Sequence, residues 1–155
     1  LSKKYHYLFD ELINNSKDIE LLDPSGKRLN FKNILEKHKG KTIYIDFWAS
    51  WCTPCLKEML ASKKLRKKYS NGKVVFIYLA LNDKKDAWIK AIPVAELDNV
   101  EDNYLILNSK TSTILRELNI KSIPRYIIYN KNGELINKDA LRPSDQQIEN
   151  VLNKL

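Results

Sequence analysis

Both cysteines of this 155-residue chain fall in one pentapeptide, Trp51-Cys52-Thr53-Pro54-Cys55. A disulfide between them closes a loop of only a few residues. The chain entropy removed by so short a loop is small, so a stapling role is poorly motivated. Switching fits better. On a helical turn, residues i and i+3 share a face about 5–6 Å apart, a separation that a disulfide tolerates. Such a pair opens and closes with little backbone movement.

For exchange, one thiol must ionise. Cys52 stands where an apolar run gives way to a helical pattern. A helix N-terminus offers unpaired amides and partial positive charge, and Pro54 is tolerated in a first turn. At a pKa of about 8.5 only about 3% of a thiol is thiolate at pH 7, and at about 7 half is. Cys55, one turn deeper, is expected to be less exposed and to resolve a mixed disulfide by attacking Cys52. That attack costs Cys55 its proton, so a buried base is useful. Asp46 is the candidate, six residues before Cys52 in an otherwise apolar run. Alternation puts Thr42, Tyr44, Asp46 and Trp48 on one strand face and Ile43, Ile45 and Phe47 on the other. A mid-strand carboxylate that is buried is pushed toward its neutral form, which suits proton transfer near neutral pH. The plainer alternative is a carboxylate that bonds a neighbouring amide or faces solvent at a sheet edge.

Half of a zinc site would need two more ligands. Only His6 and His38 are on offer, and neither has finger-like spacing. Both read as surface imidazoles on helices beside lysines, and no metal is expected. The net charge of +8 is spread along the length. Its densest cluster, Lys63-Lys64-Leu65-Arg66-Lys67-Lys68, reads as a solvated helix face. Without aromatic interleaving or a binding motif it gives no nucleic-acid footprint. No run approaches the ~20 apolar residues of a membrane span. A start at Leu1, with no signal-peptide pattern, reads as a processed or trimmed product.

The elements that must hold these residues follow from periodicity. Tyr5, Leu8, Phe9, Leu12 and Ile13 predict an amphipathic helix over 3–15. Asp23-Pro24-Ser25-Gly26 is a turn joining extended pieces at 19–22 and 28–30. Phe31, Ile34 and Leu35 mark a short helix that Gly40 ends. Residues 42–48 read as a buried central strand. The helix carrying Cys55 turns Leu56, Met59, Leu60, Leu65 and Tyr69 inward. A second strand covers 73–81, and a helix covers 83–92 with Trp88, Ile89 and Ile92 on its apolar side. A short strand at 104–107, a helix from about Thr111 and a strand at 125–130 follow. Asn132-Gly133 is a hairpin turn into a strand at 134–138. Ser144 and Gln147 suggest a capping box for a last helix with Ile148, Val151, Leu152 and Leu155 inward. An alternating run followed by a hairpin implies an α/β domain, a central mixed β-sheet with helices on both faces.

Residues 45–55, Ile-Asp-Phe-Trp-Ala-Ser-Trp-Cys-Thr-Pro-Cys, resemble the active-site signature of the thioredoxin superfamily. Ile123-Pro124, before the strand at 125–130, resembles its second landmark, a proline with a cis peptide bond. The chain is most similar to the extracytoplasmic TlpA/ResA-type thiol–disulfide oxidoreductases. Leu22-Asp23-Pro24-Ser25-Gly26-Lys27, Gly40-Lys41-Thr42 and Glu58-Met59 match their pattern, as does the insert at about 82–108 ahead of the Pro124 region. The resemblance implies a thioredoxin-like domain over 18–155, with 1–17 as a helical extension or the end of a linker. Pro124 would lie beside the cysteines, and Ile123 would offer backbone groups to an extended substrate by β-addition. Trp51 would shelter the sulfurs, with Thr53 and Pro54 on the substrate side and Trp48 in the core. Two departures stand out. The related proteins often carry proline where this chain has Leu60, so the helix is expected to run straighter. Thioredoxin has glycine at the position of Thr53, so the redox set point should differ.

The reading is therefore a thiol–disulfide oxidoreductase of the protein-disulfide reductase type, with no cofactor beyond the Cys52–Cys55 disulfide. Its partners would be cysteine-containing protein substrates and a thiol-donor redox protein. A monomer is expected. The resemblance puts it outside the cytoplasm, in a bacterial periplasm or on a membrane anchor facing it. The fold leaves direction open, because related proteins span about 150 mV, or about 7 kcal/mol for two electrons. The Thr-Pro dipeptide and a buried Asp46 lean toward reduction. Two alternatives stay open: a thiol peroxidase, and a peptide-binding or metallochaperone module with incidental cysteines.

Overall fold

A computed structural model describes residues 17–155. The helix expected over 3–15 lies outside the described residues. The element order is β1 (Glu20–Leu22), β2 (Arg28–Asn30), α1 (Phe31–Lys37), β3 (Thr42–Trp48), α2 (Thr53–Lys68), β4 (Val74–Ala80), α3 (Lys85–Val94), β5 (Asn103–Ile106), α4 (Thr113–Leu118), β6 (Arg125–Tyr129), β7 (Leu135–Asn137) and α5 (Ile148–Asn153).

The strands form one seven-stranded mixed sheet in the order β2-β1-β5-β4-β3-β6-β7. β3 is central, parallel to β4 and antiparallel to β6. Covered on both faces, it reads as a continuous β-rich run rather than a polar alternation. Its side chains still alternate between two cores. Tyr44 and Trp48 pack with Met59, Trp88, Ile92, Ile148 and both cysteines, under α2, α3 and α5. Ile43, Ile45 and Phe47 pack with Phe31, Ile34, Ile114 and Leu118, under α1 and α4. The α/β architecture with a thioredoxin-like sheet and helices on both faces is the one expected from sequence.

The turn at 23–26 forms because the Asp23 carboxylate accepts the Ser25 and Lys27 amides at 2.9 Å, while Gly26 takes φ +95°, a conformation that favours glycine. Asn130 and Glu134 close the hairpin around Gly133 at φ +78°.

Four expectations need correction. Leu60 is 56% exposed: the buried residues of α2 are Cys55, Met59, Ser62 and Leu65, and Leu60 lies about 100° around the helix from Met59. Ile89 on α3 is likewise exposed, although Trp88 and Ile92 are buried as expected. The Ser144–Gln147 capping box does not form. Ser144 gives its amide and hydroxyl to the Glu58 carboxylate, and α5 starts after Gln147 with no side-chain cap. It spans only 148–153, and Leu155 beyond it is exposed.

The fourth concerns His38, which is not a surface imidazole. It is nearly buried, and its Nε2 lies 2.8 Å from the Asp102 carboxylate. Asp102 also accepts the Tyr104 hydroxyl at 2.8 Å and lies 3.5 Å from Lys37 Nζ. The cluster ties α1 to the start of β5. Asp102→Ala strips three partners of one buried carboxylate. It is expected to cost about 2–4 kcal/mol of stability, measured by urea unfolding, with thiol reactivity unchanged. A cost under about 0.5 kcal/mol would refute the reading of this cluster.

Candidate active site

β3 ends at Trp48, and the chain turns through Ala49–Trp51 into α2. The turn is held from the neighbouring strand's exit. The Ser50 amide and hydroxyl donate to the Asp83 carboxylate at 2.6 and 2.7 Å. The Trp51 indole N–H donates to the Asn82 carbonyl at 2.9 Å, while 60% of the side chain stays exposed. Sequence reasoning missed Asn82 and Asp83. They follow β4, and only the parallel β3–β4 pairing, with Trp48 beside Ala80, brings them to the cysteines.

Cys52 is the N-cap of α2, and Thr53 and Pro54 open the helix on its exposed surface. The Cys52 sulfur accepts the Cys55 backbone N–H at 3.2 Å. An N-cap acceptor feels both that amide and the positive end of the helix dipole. Both influences favour negative charge on this sulfur. The cysteines are joined as a disulfide with Cα atoms 5.2 Å apart, as the i, i+3 spacing requires. Cys55 is the deeper, but in this oxidised form Cys52 too is only 3% exposed, less open than the sequence suggested.

The opposite wall is the segment before β6. The Ile123–Pro124 peptide is cis, and the Ile123 carbonyl oxygen lies 3.8 Å from the Cys52 sulfur. Ile123 and Pro124 are half-buried, so their backbone is within reach of a docked chain.

Asp46 sits on the β3 face that packs under α2, flanked in register by Tyr78 of β4 and Tyr126 of β6. It is 2% exposed, and neither carboxylate oxygen has a hydrogen-bond partner among the described residues. Burial pushes its pKa well above the usual carboxylate range. The nearby Glu58 charge adds to that rise, and Arg66 opposes it. Arg66 reaches in from α2 to donate to the Tyr78 hydroxyl at 2.6 Å, which also pairs with Ser62. The edge-strand alternative for Asp46 is thereby excluded. Trp48 is fully buried, as expected.

Glu58 entered the sequence reading only as part of a pattern. It lies on α2 one turn beyond Cys55, half-buried, and holds Ser144. Glu58→Gln removes a like charge near Asp46, so the Asp46 titration is expected to move down. Carbon NMR of the labelled Asp46 carboxyl reads that shift directly. A midpoint that stays or rises would refute it.

Among the described residues, no group of three or more His, Cys, Asp or Glu is placed to hold a metal, and no helix is long and apolar enough to cross a membrane.

Comparison with known proteins matches the Redoxin family over residues 17–155. This chain belongs to the Redoxin family. The thiol–disulfide oxidoreductase ResA of Bacillus cereus is 26% identical over 133 residues, covering 86% of this chain and 72% of that protein. Thioredoxin-like protein YneN of Bacillus subtilis is 32% identical over 117 residues, covering 75% and 64%. Among solved structures, one from Bacteroides vulgatus assigned as a thiol-disulfide oxidoreductase is 30% identical with a TM-score of 0.71, covering 90% of this chain and 92% of that one. A thiol-disulfide oxidoreductase from Bacteroides fragilis superimposes with a TM-score of 0.72 at 21% identity, covering 90% and 97%, a likeness of fold alone. The relatives thus include proteins named thiol–disulfide oxidoreductases, and this chain carries a C-x-x-C pair in its disulfide form.

Proposed function

We propose that this chain reduces disulfides of other proteins through the Cys52–Cys55 dithiol. The carrying observation is the Cys52 sulfur at the N-cap of α2, bonded by the Cys55 amide and facing the Ile123 carbonyl across a narrow gap. In the reduced enzyme, the Cys52 thiolate attacks one sulfur of the substrate disulfide. The substrate S–S bond breaks, one substrate thiolate leaves, and a Cys52–substrate disulfide forms. Asp46 takes the Cys55 proton. The Cys55 thiolate then attacks Cys52, closing the enzyme disulfide and expelling the second substrate thiolate. The dithiol loses two electrons and the substrate gains two.

In this reading Ile123 and Pro124 guide an extended substrate strand, and Trp51, Thr53 and Pro54 form the exposed contact rim. A thiol-donor redox protein restores the dithiol, and no further cofactor takes part. The enzyme works as a monomer, with 18–155 as the working domain and 1–17 as an extension or linker end. Its resemblance to the TlpA/ResA type supports a place outside the cytoplasm, in a periplasm or on an anchor facing it.

The test is turnover of insulin disulfides with dithiothreitol, together with a redox titration. A midpoint between about −270 and −180 mV is expected for a reductase, and one near −120 mV would make the protein an oxidant. No acceleration of insulin reduction would sink the proposal.

A further inference from the structure

Next to the active-site turn, a groove of about 340 Å³ opens between the loop after β4, the loop before α4, and α4 itself. Leu81, Leu115 and Ile120 give it apolar walls. It begins at the active-site turn, because its Asn82 carbonyl is the one that holds the Trp51 indole. It ends at Ile120, three residues before the Ile123 carbonyl that faces the Cys52 sulfur. Asn82 and Asn119, two of its lining residues, adopt φ of +52° and +53°. Asparagine tolerates this backbone region better than most residues, and at Asn119 it is the C-cap that ends α4.

The groove's charge is one-sided. Lys110 and Arg116 line it, and no acidic residue does. Both are exposed, and neither is ion-paired with another described residue. The nearest acid after β4, Asp83, is occupied by Ser50 and the Lys84 amide. Glu117 follows Arg116 on α4 but does not line the groove. Lys84 and Lys121 lie within two residues of the lining positions Asn82 and Ile120, and the whole chain carries +8. A second copy of so basic a chain is repelled, whereas an acidic partner is drawn in.

We propose that this groove takes the stretch of substrate polypeptide next to the target cysteine and selects stretches bearing Asp or Glu. The inference rests on the disulfide-reductase reading and adds a substrate class to it. The apolar walls hold the chain while Lys110 and Arg116 pair with its carboxylates. Charge complementarity at a rim sets encounter rate and partner choice more than tightness.

The test uses three peptides of equal length. Each carries one cysteine as a mixed disulfide with 2-thiopyridine and is flanked by Glu, Gln or Lys. Attack by Cys52 on the peptide sulfur releases pyridine-2-thione, which is read by absorbance. Cys55 then frees the peptide thiol and closes the enzyme disulfide. Each rate is taken relative to the same enzyme's rate with neutral 2,2′-dithiodipyridine. The Glu peptide is expected to react about 3- to 10-fold faster than the Gln peptide, with the Lys peptide slowest. Added salt should shrink the ranking. Lys110→Glu/Arg116→Glu should reverse it, and Arg116→Gln alone should weaken it if the double variant fails to fold. Equal rates for the three peptides overturn the proposal. So does a ranking that survives the substitutions, or a concentration-dependent dimer that blocks the groove. Failure with dithiodipyridine and every peptide alike would instead sink the reductase reading beneath it.

Discussion

Cys52→Ser is expected to lower insulin reduction by about a thousandfold or more, while Cys55→Ser leaves the first attack intact and stops at the mixed disulfide. The two sulfurs differ in position, and that difference predicts the asymmetry. Cys52 caps α2 and accepts a backbone amide, whereas Cys55 is one turn inside the helix. Only Cys52 faces the Ile123 carbonyl, where a substrate would run. Mass spectrometry under non-reducing conditions should therefore find substrate on Cys52 of the Cys55→Ser protein, and none on Cys55 of the Cys52→Ser protein. Undiminished turnover in both variants would refute the assignment, and adducts on Cys55 alone would reverse the roles.

Asp46→Asn should act on rate and stability in opposite directions. Loss of the base is expected to slow release of the mixed disulfide by about 100-fold at neutral pH, within the usual range for general base catalysis. First attack by Cys52 should change far less, so single-turnover kinetics separates the two steps. Stability follows from the raised pKa of Asp46. Below the unfolded carboxylate value, about 3.9, both folded and unfolded chains hold the proton and Asp46 exacts no ionisation penalty. Above it the unfolded chain ionises first, so the folded state binds more protons. Stability then falls with rising pH until the folded carboxyl also titrates. Asparagine cannot ionise and escapes that fall. The variant is expected to match the parent near pH 4 and to exceed it by about 1–3 kcal/mol at pH 8. That is a rise in Tm of about 2–4 °C per kcal/mol for a chain of this size. A variant less stable than the parent at pH 8 would show that Asp46 is satisfied by a partner.

What was legible in the sequence was local. The strand at 42–48 announced itself by β-branched and aromatic residues, and period-two alternation assigned Asp46 to the face shared with Tyr44 and Trp48. The i, i+3 spacing of the cysteines sets their Cα separation, 5.2 Å, by helical geometry. Where local patterns failed, a partner distant in the chain had intervened. Ser144 and Gln147 have capping-box spacing, but Glu58, 86 residues earlier, takes the Ser144 donors. His38 sits beside lysines like a surface residue, yet Asp102, 64 residues on, draws it inward. Leu60 is apolar, but its angle on α2 leaves it outside.

The chain by itself determined which atoms could react: two thiols one helical turn apart, a proline between them, and a carboxyl in an apolar strand. Each is a property of neighbouring residues, set by backbone period and side-chain chemistry. Only the tertiary structure decided what surrounds them. It brought Ile123 from 71 residues away to the Cys52 sulfur, buried Asp46 between Tyr78 and Tyr126, and hung the active-site turn on Asn82 and Asp83. Those contacts come from strand order and register in a seven-stranded sheet. Order and register depend on the packing of all the layers together, so no short stretch of sequence encodes them.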